Sequence, residues 1–167
     1  MTQSKYQRLV FMGTPDFAVP TLKALIDAGE EVVAVYTQPD RPKGRGRKLT
    51  PSPVKELATA HSLSLFQPQT LRESSAMNSL AELKPDLLIV VAYGLILPTS
   101  VLTIPAWGAI NIHASLLPKY RGAAPIQWAI IKGEKETGVT TMRLDSGMDT
   151  GDILLQQGAP VLAEDTS

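Results

Sequence analysis

The chain of 167 residues contains no cysteine and only two histidines. Disulfides and thiolate metal ligands are excluded, which agrees with a reducing compartment, and two imidazoles argue against a metal site. Net charge is missing as well, because 16 basic residues cancel 16 acidic ones. Aromatic residues make up 5%, yet 44% apolar and 19% charged residues are ordinary for a soluble globular protein, so disordered and collagen-like classes drop out. No apolar run is long enough to span a bilayer; the longest, "LLIVVAYGLILP" from Leu87 to Pro98, is broken by Gly94. Only "MTQSKYQ" precedes the first apolar stretch, which leaves no room for a signal peptide or an Arg-rich presequence. The expectation is a cytoplasmic protein of bacterial type. Nucleotide fingerprints are absent too. The first turn, "GTPDF", has Gly13 alone where a dinucleotide site needs G-x-G-x-x-G and a P-loop needs G-x-x-x-x-G-K-[ST]. Asp16 in that turn either favours a helix N-terminus or shares in binding a substrate.

The length suits one domain with a proper core, or a piece of something larger. Short β-rich runs alternate with helical patterns. "RLVFMG" (8–13), a helix over Val19–Ala28 and "EVVAVYT" (31–37) form a βαβ signature. After a polar stretch come a helix near Val54–His61, a short strand near "LSLFQP", a helix near Ser74–Leu83, and the strands "DLLIVVAYG" and "AINIH". The pattern predicts an α/β chain with a Rossmann-like, doubly wound open sheet whose first five strands are parallel. "APIQWAIIKG" then reads as a helix stopped by Gly133, and "GVTTMRLD" and "DILLQQGAPV" as an antiparallel C-terminal pair, since so short a link cannot make a parallel crossover. The terminal "AEDTS" resembles the cap of a helix that does not follow. Open α/β sheets bind ligands outside the carboxyl ends of their strands, which directs attention to Tyr93–Leu97 and Asn111–Leu117.

Three features carry chemistry. In "AINIH", side chains alternate between faces, so Asn111 and His113 share one. Polar groups in a buried strand cost several kcal/mol unless satisfied, so the pair is either a satisfied core network or a catalytic device. An imidazole at a strand end can act as a base, and an amide donor can steady a developing oxyanion. In contrast, His61 sits on an amphipathic helix and reads as solvent-facing. "DSGMDTGD" (145–152) crowds acids but fails as a calcium loop, with Thr150 sixth and Gln156 twelfth. Spacing alone leaves Asp145, Asp149 and Asp152 equivalent. Finally, residues 41–48 hold five of the nine basic residues in the first sixty positions. That loop, "TQPDRPKGRGRKLTPSP", is a solvated charged loop, a localisation signal, or a surface that meets phosphates through Arg41, Lys43, Arg45, Arg47 and Lys48.

At these residues the sequence resembles the methionyl-tRNA formyltransferase family over essentially its whole length. The segments concerned are "FMGTPDFAVPTLKALIDAGEEVVAVYTQPDRPKGRGRKLTPSPVKELA", "INIHASLLPKYRGAAPIQWAI" and "GVTTMRLDSGMDTGDIL". The middle segment is shared by other folate-dependent formyltransferases that act on glycinamide ribonucleotide or sugar nucleotides, whereas "TQPDRPKGRGRK" separates the tRNA enzymes. The resemblance implies formyl transfer from 10-formyltetrahydrofolate, without a metal, to the α-amino group of initiator methionyl-tRNA. It implies a catalytic trio of Asn111, His113 and Asp149, and folate contacts at Ser115, Leu116, Leu117 and Pro118 and at Tyr93, Gly94, Leu95, Ile96 and Leu97. It also implies tRNA contacts from the five basic residues of the loop and a monomeric enzyme. Residues 1–167 would be the catalytic domain, and the family's C-terminal β-barrel domain of OB type is not in this chain.

Overall fold

A computed structural model describes residues 8–43 and 48–166. The chain divides into two compact units, Met1–Ala109 and Ile110–Ser167.

The first unit is built on parallel strands. β1 (Leu9–Gly13) is buried along its whole length, as a strand covered on both faces must be, and its apolar run Leu9 to Met12 is the centre of the core. A single 3-10 turn (Asp16–Ala18) leads into α1 (Val19–Asp27), which buries Leu22. β2 (Val32–Tyr36) pairs parallel with β1, with Phe11 opposite Val35. The segment expected to be loop contains a small antiparallel hairpin instead. Its strands, β3 (Arg41–Lys43) and β4 (Lys48–Thr50), pair Arg41 with Thr50 and Lys43 with Lys48. Next comes α2 (Pro53–Ala60), where proline takes the first helical position and the Ser52 hydroxyl accepts from the Lys55 amide at 3.0 Å. β5 (Leu65–Phe66) pairs parallel with β2, α3 covers Ser74–Glu82, and β6 (Leu87–Val91) pairs parallel with β1. A four-residue helix, α4 (Thr99–Leu102), closes the unit where only a turn was expected.

The strand order β5-β2-β1-β6 means that the chain winds outward from β1 and then returns to its other side. Winding therefore reverses between β1 and β6. At such a reversal the connections leave in opposite directions and open a crevice at the carboxyl ends. Thr14 and Tyr93 stand there.

The second unit is an antiparallel meander of β7 (Ala109–His113), β8 (Glu136–Arg143) and β9 (Ile153–Pro160), with α5 (Pro125–Ile131) between the first two strands. β8 buries alternate residues, Gly138, Thr140 and Met142, and begins two residues before the expected strand. β9 exposes Ile153, Leu154 and Leu155. Beyond it the end of the chain turns on itself, with the Asp165 carboxylate accepting from the Leu162 amide at 2.8 Å.

Candidate active site

β7 sets the site by its register. Asn111 lies opposite Met142 and His113 opposite Thr140, so period-two alternation puts the amide and the imidazole on one face. His113 is 8% exposed, and its Nε2 lies 2.8 Å from the Tyr120 carbonyl. A carbonyl oxygen can only accept, so Nε2 carries the proton of a neutral ring. The lone pair is then on Nδ1. That nitrogen faces Asp149 Oδ2 at 3.6 Å, too far for a hydrogen bond and close enough for an ion pair once Nδ1 is protonated. Asn111 is half-buried, and no hydrogen bond among the described residues uses its carboxamide.

Asp149 reaches this position through backbone geometry. Its φ of 52° is left-handed, a region that aspartate tolerates better than most residues, and its Oδ2 accepts from the Gly122 amide at 2.8 Å. The neighbouring acids are placed differently. Asp145 spends its carboxylate on its own turn, accepting from the Gly147 amide and the Thr150 hydroxyl, each at 2.9 Å. Asp152 is exposed at the start of β9. Gly151 allows that approach, since a β-carbon there would strike the Arg143 carbonyl. Three further left-handed residues, Tyr120, Gly122 and Ala124, lie in the segment that supplies both the Tyr120 carbonyl and the Gly122 amide. Non-glycine residues in that region store strain, which clusters at functional sites.

The turn after β7 is locked from within its own unit. Ser115 is fully buried and its hydroxyl donates to the Lys119 carbonyl at 2.6 Å. Thr140 donates to the Ser115 carbonyl at 2.7 Å and accepts from the Leu117 amide at 3.1 Å. Gln156 donates to the Leu117 carbonyl at 2.9 Å. Ser115 and Leu117 thus have their side chains in the core, whereas Leu116 and Pro118 border a cavity of about 580 Å³ together with Tyr120 and Glu134. None of Asn111, His113 and Asp149 lines that cavity. At its rim, hydrogen bonds from Tyr120 and then Lys119 hold the Glu134 carboxyl below its usual range.

In the first unit, Tyr93 is buried, Gly94 and Ile96 are exposed, and Leu95 and Leu97 are half-buried. Arg41 is exposed and its guanidinium donates to Gln38 Oε1. The backbones of Lys43 and Lys48 belong to the hairpin, while Arg45 and Arg47 lie outside the described residues. The hairpin is anchored by Asp40, which takes the Lys55 ammonium at 2.7 Å and the Gln67 amide at 2.9 Å. Those two hydrogen bonds, Lys55 first, pull the Asp40 carboxyl below its usual range. Sequence reasoning passed over Gln38, Tyr120 and Gly122; only Gly122, a glycine in a polar turn, left a local signal.

Among the described residues no helix is long and apolar enough to cross a membrane, and no three His, Cys, Asp or Glu side chains group so as to hold a metal.

The arrangement around β7 sets an amide and an imidazole on one strand face, with a carboxylate oxygen 3.6 Å from the imidazole. The chain carrying it belongs to the formyl transferase family, whose profile matches residues 7–167. Its curated relatives include the methionyl-tRNA formyltransferase of Pelotomaculum thermopropionicum, 60% identical over 160 residues that cover 96% of this chain and 51% of the relative. That of Pseudomonas putida is 63% identical over 159 residues, covering 95% and 51%. The chain spans about half the length of these relatives. Among solved structures, the phosphoribosylglycinamide formyltransferase of Bacillus halodurans superposes with a TM-score of 0.75 at 25% identity, covering 95% of this chain and 82% of the other. A formyltetrahydrofolate deformylase from Pseudomonas syringae shares the fold, with a TM-score of 0.74 at 20% identity, covering 98% and 54%. The Rossmann-like α/β class expected from the sequence is thereby established.

Proposed function

We propose that this chain transfers a formyl group from 10-formyltetrahydrofolate to the α-amino group of initiator methionyl-tRNA, in support of translation initiation. The observation that carries the chemistry is the His113–Asp149 pair, with Nδ1 the ring nitrogen left to exchange a proton. The names of the relatives and the basic hairpin support the acceptor.

The neutral amine attacks the formyl carbon and the bond from that carbon to the folate nitrogen breaks. Asn111 donates to the oxyanion that forms in between, a contact worth roughly 2.7–4 kcal/mol where comparable donors have been removed. His113 Nδ1 takes the proton that the amine loses and delivers it to the departing nitrogen. Asp149 stabilises the imidazolium during that passage and keeps the ring oriented. The segments proposed to bind the donor are 93–97 and, through its exposed positions, 115–118. Arg41, Lys43, Arg45, Arg47 and Lys48 supply phosphate contacts whose strength falls with salt.

The test is single-turnover formyl transfer with methionyl-tRNA and, separately, glycinamide ribonucleotide as acceptor. The second acceptor is included because the structural likeness to glycinamide ribonucleotide enzymes favours it. Transfer to methionyl-tRNA alone is expected. Transfer to glycinamide ribonucleotide alone would replace the proposed acceptor, and near-normal rates in His113→Ala and Asp149→Asn would remove the proposed mechanism.

A further inference from the structure

At the reversal between β1 and β6, one side chain that the proposed chemistry does not use occupies the crossing of four segments. Gln38 follows β2, is 9% exposed, and has both ends of its carboxamide engaged. Oε1 accepts from the Arg41 guanidinium at the base of the hairpin, and Nε2 donates to the Tyr93 carbonyl at 3.0 Å. Its backbone is held as well. The amide donates to Thr14 Oγ1 at 3.3 Å, and the carbonyl accepts from Gln67 Nε2 at 3.0 Å. Thr14 Oγ1 in turn donates to the same Tyr93 carbonyl at 2.8 Å.

The next residue records how closely Gln38 approaches. Gly94 has φ of +80°, and a β-carbon there would collide with Gln38 Nε2. The path from Tyr93 into Leu95 is therefore shaped around this carboxamide. A cavity of about 260 Å³ is bordered by Thr14, Gln38, Arg41 and Pro53.

Resting on the reading of residues 93–97 as a donor segment and Arg41 as an RNA contact, we propose that Gln38 is a positioning residue that couples the two. A phosphate that fixes the Arg41 guanidinium also fixes Gln38 Oε1, and with it the Nε2–H that aims the Tyr93 carbonyl and the loop following it. RNA bound to the hairpin thus orders the loop that receives the formyl donor. A hydrogen bond to an ionised group cannot be replaced by an alkyl chain of the same shape, and a carboxylate at position 38 would keep the Arg41 contact while turning an oxygen toward the Tyr93 carbonyl.

Two readouts on this chain test the coupling. The first is the dissociation constant of 10-formyltetrahydrofolate with and without a methionylated RNA hairpin of the initiator acceptor stem. The second is amide hydrogen exchange in residues 92–98, which needs no ligand. In the wild type the RNA is expected to tighten donor binding. Gln38→Leu and Gln38→Glu should each abolish that tightening and speed exchange in 92–98 by about 2- to 10-fold, the effect of losing one net hydrogen bond. Gln38→Glu, whose carboxylate competes with the RNA phosphate for Arg41, should in addition weaken RNA binding. A glutamine that only supports the fold would lower the melting temperature yet leave the RNA-dependent ratio intact, and that ratio surviving in both variants would overturn the proposal. Slow wild-type exchange in both variants would do the same. A wild-type chain that binds neither probe would instead refute the functional reading, while the exchange data still decide whether Gln38 holds the loop.

Discussion

Asp40 accepts two contacts from the Lys55 ammonium and one from the Gln67 amide with 29% of its side chain exposed, whereas Asp149, at 14% exposure, accepts a single backbone amide and faces a histidine at 3.6 Å. The more buried carboxylate is the less satisfied one. Desolvation without full compensation costs free energy, so a fold retains such an arrangement where the unsatisfied group has something to meet. The same contrast separates Asp149 from Asp145, four residues earlier, which closes its own turn. One kind of cluster holds the chain in place, and the other is the one proposed to pass a proton.

The sharpest way to break this contrast is to neutralise the acids one at a time. His113→Ala and Asp149→Asn are expected to slow the chemical step by about 10²-fold or more, the usual span of general acid–base assistance. Asp145→Asn should leave that step near wild type and loosen only its own turn. Single-turnover rates of the three variants decide the matter, and comparable losses in Asp145→Asn and Asp149→Asn would erase the distinction.

How much of this was legible beforehand follows from what each feature depends on. The shared face of Asn111 and His113 needs only the two-residue period of a strand, and it could be read directly. Choosing Asp149 among three acids needs a left-handed backbone and an amide 27 residues away at Gly122, neither of which spacing encodes. Resemblance to a family had to supply that choice. The hairpin at Arg41–Thr50 was hidden because its strands are three residues long and contain Pro42 and several cations, which argue against strand in any local reading. Gln38 belongs to no motif. Its position emerges only when the ends of β1, β2, β5 and β6 are brought together.

The satisfied cluster makes the opposite prediction to the one proposed to be catalytic. Lys55→Met should lower the melting temperature, because it strands Asp40 and unfastens the hairpin, while leaving the chemical step close to wild type. Its pH dependence has a definite sign. Asp40 titrates below its ordinary range in the folded chain, so its contribution is present above the unfolded carboxylate range and disappears as pH falls through the lowered value. Thermal melts across the acid limb should show a steeper fall for the wild type than for Lys55→Met. Parallel acid limbs would mean that the pair does not stabilise the fold.

A smaller effect comes from a third kind of polar group, one that is buried and has no partner among the described residues. The Tyr36 ring stacks on Phe66 with centroids 4.9 Å apart, yet its hydroxyl, like that of Tyr93, has no hydrogen bond among the described residues. Burial pushes the Tyr36 phenol from its ordinary 10.0 up to about 12. Tyr93 is raised in the same direction by burial and then by Tyr36. Below pH 10 both phenols are neutral in the folded and the unfolded chain, and they make no pH-dependent contribution. As pH rises from 10 toward 12 the unfolded chain loses protons that the folded chain keeps, so stability falls over that window. Removing an unsatisfied hydroxyl while keeping the stacked ring should help, and Tyr36→Phe is expected to raise the unfolding free energy by about 1 kcal/mol and to flatten the alkaline decline. Denaturant titrations at neutral and alkaline pH measure both. A variant less stable than the wild type would show that the phenol has a partner after all, placing Tyr36 with the satisfied groups around Asp40 instead of the unsatisfied ones around Asp149.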